Sequence, residues 1–263
     1  MNHVSDFEFL SVDLNDGVLH VRLDRPERLN AFAGTVRQDL RAVLERADTD
    51  PEVGCLVISG EGRAFCAGGD VDVMHDIRRT DDLPAFAAIL DAANAGAGAL
   101  RRCRVPTLAL VHGAAAGGGA NLALGCDVRW GSSKASFTQS FIHLGLAPDW
   151  GGSRLLVDAV GVQRARELLL TGRSVRAEEA LRIGLLHRLV DDEDLLPKGM
   201  ELARTLAKRS PTALEALDAL LAAAASDKSF EDQLALERTW QLTCFQSDEA
   251  RAAFEAFLAR RKR

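Results

Sequence analysis

Residues 17–23, GVLHVRL, alternate apolar and polar side chains, the pattern of a strand. RPERLNAF follows as a loop. Apolar positions then recur at Val36, Leu40, Val43, Leu44 and Ala47, which predicts an amphipathic helix over 35–49. VGCLVISG (53–60) is a short apolar run ending in glycine and reads as a buried strand, with EGRAFCAGGD as the loop after it. Residues 84–102 suit a helix, VPTLALVHG (105–113) a buried strand, 117–125 a helix, and CDVRWGS another strand. Short buried strands alternating with helices predict an α/β fold. From about residue 194 only helical patterns remain: DLLPKGMELARTLAKRS, PTALEALDALLAAAAS, SFEDQLALERTWQLTCF and DEARAAFEAFLARRKR. Pro211 sits where a first-turn proline belongs, and Ser210 before it is a candidate N-cap. The expected organisation is an α/β core over 1–193 and a helical region over 194–263. No low-complexity linker divides them, so the helical region is expected to pack on the core or on a neighbouring subunit.

Composition narrows the function. The chain has 263 residues, 47% of them hydrophobic, with a formal net charge of -6. Mild acidity argues against nucleic-acid binding, which needs a basic face. No apolar run reaches the length expected of a membrane span. The first residues, MNHVSDFEFLSVDLNDG, show no basic-then-apolar leader pattern, which favours the cytoplasm. Five cysteines without a C-x-x-C pair predict neither a disulfide framework nor a zinc site. Cys66 is expected to be a small apolar filler rather than a nucleophile.

Two glycine-rich loops carry the candidate chemistry. AFCAGGD (64–70) follows one predicted strand, and AAAGGGAN (114–121) follows another. A strand-to-helix turn leaves main-chain N–H groups outside the helix ladder. Two such turns side by side could aim two donors at one oxygen, an oxyanion hole in which each donor is worth about 3–4 kcal/mol in the transition state. The plain alternative is that the glycines only permit tight turns. Neither loop fits a nucleotide-phosphate motif.

These loops, with RPERLNAF before them and LGLAPDWGGSRLL and TGRSVRAEEALRIGLLHRLV after them, resemble the enoyl-CoA hydratase/isomerase (crotonase) superfamily from about residue 10 to the C-terminus. The resemblance implies a spiral of ββα units with C-terminal helices that assemble trimers, often as dimers of trimers. It also implies an acyl-CoA substrate whose thioester oxygen is held by the amides of Gly69 and Gly118. No metal and no cofactor beyond the substrate's own coenzyme A are implied. The two glutamates of the family's hydratases fall on Asn121 and Phe141, so both carboxylates are missing and ordinary hydration is in doubt. Asp149, in GLAPDWGGS, falls where dienoyl-CoA isomerases, the 1,2-epoxyphenylacetyl-CoA isomerase-like branch and 4-chlorobenzoyl-CoA dehalogenase keep a working aspartate; GANLALGCD and QSFIHLGLAPDWGGS are most similar to the epoxide-isomerase branch.

The expected activity is therefore isomerisation of a double bond or an epoxide-bearing ring in an enoyl- or arylacetyl-CoA, in fatty-acid or aromatic-acid metabolism. Asp149 would be the acid/base, with its pKa raised by burial beside Trp150 and Leu146. The alternatives are a hydratase with reassigned groups, a dehalogenase-like nucleophilic Asp149, and a non-catalytic CoA-binding member. For Asp149 itself the alternative is a helix N-cap. Asp70 is expected to cap the helix after the first loop or to touch substrate, and Asn121 to bond substrate or water or to be a plain loop residue. Phe141 and Trp150 would line an acyl pocket or belong to the core. Arg28, Arg260 and, more weakly, Lys262 are candidates for CoA phosphates; Leu29 and Ala67 fall where the family's main chain meets adenine and pantetheine. Asp127 is expected to make buried structural hydrogen bonds, and His112 and His143 to be structural.

Overall fold

The computed structural model describes residues 2–3 and 7–261. They form two compact units, divided between Ala207 and Lys208.

The first unit is a spiral. It opens with β1 (Asn2–His3), β2 (Leu10–Asn15), β3 (Val18–Leu23) and α1 (Val36–Thr49). Three turns follow in which one strand enters a large sheet, the next enters a small sheet, and helix comes after. These are β4 (Cys55–Gly60), β5 (Ala64–Cys66), α2 (Val71–Thr80) and α3 (Leu83–Arg101); then β6 (Thr107–Val111), β7 (Ala114–Ala116) and α4 (Gly118–Gly125); then β8 (Val128–Ser132), β9 (Ser136–Thr138), a 3-10 turn (Ser140–Leu144), α5 (Gly152–Val160) and α6 (Val162–Thr171). β10 (Ser174–Arg176), α7 (Ala177–Ile183), β11 (Arg188–Val190) and α8 (Asp192–Leu206) complete it. The large sheet runs β1-β2-β3-β4-β6-β8-β11 and the small one β10-β9-β7-β5.

The central strands are buried on both faces, which is why they read as unbroken apolar runs. Leu56 and Ile58 of β4, with Ala109 and Val111 of β6, face the main core. Their alternates Cys55, Val57, Leu108 and Leu110 face a second core. That second core is closed by α8, through Leu195 and Ala203. α8 belongs to the α/β unit, so the unit ends at Ala207, later than the boundary after residue 193 that the change of pattern suggests. The helical pattern begins near 194 because α8 is a cover for the sheet, and periodicity cannot tell a cover from a separate tail.

Other differences have equally local causes. β5, β7, β9 and β10 are three residues each, too short to show a period, and they pair only with one another. β5 and α2 therefore lie inside and just after what reads as one loop. α3, with 19 residues and a mean hydropathy of 1.3 over its best window, is long and apolar enough to cross a membrane by composition, contrary to expectation. Here it packs along α1, burying Ala93, Gly96, Ala99 and Leu100.

The second unit consists of α9 (Pro211–Ala224), α10 (Phe230–Gln246) and α11 (Asp248–Arg261). Ser210 caps α9 as expected, its hydroxyl accepting from the Ala213 amide at 3.2 Å with Pro211 in the first turn. Phe230, Phe245, Phe254, Phe257 and Leu258 are exposed.

Candidate active site

β5 and β7 are parallel neighbours, with Ala64 opposite Ala114 and Cys66 opposite Ala115. The two glycine loops that leave them are therefore side by side. Gly68 has φ +87°, and a Cβ there would lie 2.6 Å from the Ala116 carbonyl and 3.2 Å from the Gly118 nitrogen. Glycine is required at 68 both for its backbone angle and for this close approach. Gly118 opens α4, so its amide precedes the helix ladder. Among the described residues, neither the Gly69 nor the Gly118 amide has a hydrogen-bond acceptor.

The first loop is held by RPERLNAF. Phe32 donates its amide to Gly68 O at 2.7 Å, and Ala67 donates to Leu29 O at 2.9 Å. Buried Asn30 donates to the carbonyls of Glu61, Ala64 and Phe65. Arg25 reaches Asp70 at 2.6 Å. The sequence reading does not single out Arg25 or Asn30; each is a polar residue in a loop until the fold shows what it ties down.

Gly69, Gly118, Ala67, Phe141, Asp149 and Trp150 line one cavity of about 270 Å³. Its remaining walls are mostly apolar, from Phe32, Met74, Phe86, Ile89, Leu90 and neighbours. Val71, Met74, Phe86, Leu144 and Leu146 also border a second apolar recess of about 490 Å³. Trp150 is both core and wall. Its indole lies 3.1 Å from where a Cβ on Gly96 would stand and 3.0 Å from one on Gly118, stacks on Phe32 at 5.2 Å between centroids, and is 1% exposed.

Asp149 is half-buried at the cavity. The N-cap of α5 is Gly151, and no side chain caps that helix, so the capping alternative for Asp149 is not realised. Its Oδ1 is buried without a partner. Burial pushes its pKa above the ordinary carboxylate value; Arg37 and the residue's own amide pull less strongly the other way. The chain turns at once after it: Trp150 has φ +53° and Gly151 φ +71°. A left-handed tryptophan is a strained conformation, fixed here by the packing of its ring.

Arg37 is the charged residue that sequence reasoning misses. It is 7% exposed and lines the cavity. The signal was present: Val36, Arg37 and Leu40 all fall on the buried stripe of α1, and a cation there is unusual.

The other described candidates lie off this cavity, and for Asn121 and Asp70 the expected substrate contact is corrected. Asn121 does not line this cavity. Its Nδ2 donates to the main-chain carbonyl of Asp149 at 3.0 Å, and its Oδ1 accepts from Gln139 at 2.8 Å. Asp70 is also fully engaged. One oxygen caps α2 through the Asp72 and Val73 amides, and the other binds Arg25. Leu29, in the left-handed region, holds the first loop through its carbonyl and does not line the cavity. Arg28 is exposed and paired with exposed Asp72 at 2.8 Å. Arg260 lies exposed on α11 of the second unit, and Lys262 lies outside the described residues. Asp127 makes the expected structural bonds, to the Thr107 amide and hydroxyl, but is exposed rather than buried. His112 and His143 bond the carbonyls of Gly62 and Gly172. Cys66 is fully buried, donates to Asn30 O, and has its thiol pushed up to about 12, which fits a filler and not a nucleophile. Among the described residues no cluster of metal-ligating side chains occurs.

A spiral of ββα turns with two bare amides over an apolar cavity defines the class. A sequence profile of the enoyl-CoA hydratase/isomerase family matches residues 13–263, and the chain belongs to that family. The chain is 35% identical over 255 residues to 1,2-epoxyphenylacetyl-CoA isomerase from Escherichia coli, covering 97% of each chain. It is 30% identical over 246 residues to a short-chain-enoyl-CoA hydratase from Clostridium acetobutylicum, covering 92% of this chain and 91% of the relative. The crystal structure of an enoyl-CoA hydratase/isomerase from Cupriavidus metallidurans superposes with a TM-score of 0.87 at 32% identity, covering 98% and 96%. The protein is thus an enzyme of this family, and the family implies an acyl-CoA substrate.

Proposed function

We propose that the enzyme is an acyl-CoA isomerase with Asp149 as its acid/base. The observation that carries this is a half-buried carboxyl group with an unpartnered oxygen, on the same cavity as the free amides of Gly69 and Gly118. At the two positions where hydratases of the family keep glutamates, Phe141 is apolar and Asn121 has both ends of its amide engaged. Asp149 is the one acid lining the cavity among the described residues.

The chemistry follows from these groups. With the thioester oxygen accepting from both amides, negative charge developing on it is stabilised, and the adjacent carbon becomes more acidic. Asp149 takes a proton from one carbon of the acyl group. The electron pair left behind delocalises onto the thioester oxygen as an enolate. The carboxyl group returns the proton at a different carbon, the thioester carbonyl reforms, and a double bond has moved. Substrate and product have the same composition, so no cofactor beyond the substrate's coenzyme A is required. The adjoining apolar recess would take the remainder of the acyl group.

The same reading makes the enzyme cytoplasmic and self-associated as a trimer or dimer of trimers; the phenylalanines exposed on α10 and α11 support self-association. Asp149→Asn is expected to retain binding of a saturated acyl-CoA and to lower turnover by about 10²- to 10⁴-fold. Assays with enoyl- and arylacetyl-CoA substrates, including crotonyl-CoA, test it. Efficient formation of the 3-hydroxyacyl product would favour the hydratase alternative, and undiminished isomerisation by the variant would contradict the role of Asp149.

A further inference from the structure

Arg37 is a charge that the isomerisation above does not use. It projects from α1 into the cavity, and it and Asp149 are the ionisable groups on that lining. Its protein partners are few. Nη1 makes one long bond to Phe32 O at 3.4 Å, the guanidinium lies 5.3 Å from the Phe32 ring centroid, and Nε is buried with no acceptor. Nη2 lies beside Gly69, 3.7 Å from where a Cβ there would stand, which puts the cation next to one of the two oxyanion amides. Asp149 attracts it, yet the two share no hydrogen bond.

A guanidinium has five N–H donors, and burying it with so few acceptors is costly. A plain hydrocarbon acyl chain in this cavity would displace water from the arginine and leave those donors unanswered. An oxygen on the acyl portion would answer them. Recognition of this kind discriminates strongly, because the analogue lacking the oxygen leaves a buried polar group unpaired.

We propose that Arg37 determines specificity by donating to an oxygen carried on the acyl portion itself. The favoured substrates are then oxygenated acyl thioesters, bearing a hydroxyl, carbonyl, epoxide or carboxylate near the carbons that Asp149 serves. This rests on the acyl-CoA reading of the site, and it chooses within that reading between hydrocarbon and oxygenated substrates.

The test is calorimetric binding to the full-length protein of four-carbon thioesters: butyryl-CoA, 3-hydroxybutyryl-CoA, 4-hydroxybutyryl-CoA and succinyl-CoA. At least one oxygenated thioester is expected to bind about tenfold or more tightly than butyryl-CoA. In Arg37→Met that ratio is expected to fall to near one, whereas Arg37→Lys, which keeps a cation there, retains part of it. Equal affinities across the panel in the wild type overturn the proposal whether or not the methionine variant folds. A preference that survives in folded Arg37→Met overturns it too. Butyryl-CoA bound without any preference contradicts the role of Arg37 alone. Failure of the wild type to bind any of the four contradicts the acyl-CoA reading, and this inference with it.

Discussion

Asn121 acts as a fastener. Buried and 1% exposed, it links Gln139 to the main-chain carbonyl of Asp149, so it sets where that carboxyl group stands without touching the acyl cavity. Asn121→Leu would leave that carbonyl and the Gln139 amide without these partners, at a cost of about 1–3 kcal/mol in stability. Its kinetic mark is expected to be a fall in kcat larger than any rise in KM, measured by steady-state kinetics with parallel thermal unfolding. Asp149 itself carries a pH signature. Its pKa is raised, and the base form exists only above it, so kcat/KM is expected to rise with pH through a limb lying above the ordinary carboxylate range. The sign for stability is the reverse. Folding holds a proton that the unfolded chain releases at a lower pH, so stability from this group is lost as pH rises, and Asp149→Asn is expected to raise the melting temperature near neutrality. The paired glycine loops were legible from strand-loop-helix order, whereas Gly69, Gly118 and Asp149 were singled out within them by the family resemblance, since residue type alone reads Asp149 as a helix N-cap. Arg37 was not, because a polar residue on an apolar stripe declares itself only when the stripe's partner is known. Asn121 was placed toward substrate because sequence order cannot say which way a side chain at a helix start points; Asp70, expected first as the cap of α2, is that cap.

At the scale of elements, the spiral puts each candidate catalytic group in the segment that follows a strand of the small sheet. β5 delivers Gly69, β7 delivers Gly118, and the segment after β9 delivers Asp149. The larger strands were readable from their apolar runs; these short ones, on which the site depends, were not. α8 was readable as a helix but not as part of the α/β unit, since only the second core shows what Leu195 and Ala203 cover. Leu195→Ala is expected to cost about 2–5 kcal/mol through cavity formation, measured by denaturant titration, with KM little changed because α8 contributes no residue to the cavity lining.

For the molecule as a whole, the family membership and the ββα spiral agree with what the glycine loops and flanking motifs imply. The second unit exposes Phe254 and Phe257 on a helix with no buried residue. Replacing both with Glu is expected to lower the molecular mass in light-scattering chromatography from a multiple of three chains of 28.4 kDa toward one chain. The central claim concerns a proton moved by one carboxyl group on a thioester held by two amides. It is tested most directly by incubating wild type and Asp149→Asn with an isomerisable enoyl-CoA in D₂O and following carbon-bound deuterium by mass spectrometry. The carboxyl proton of half-buried Asp149 exchanges with solvent between removal and return, so the wild type is predicted to incorporate deuterium into the acyl group, and the variant, with the thioester still bound, only at the background rate. Equal incorporation by the two proteins would contradict the account.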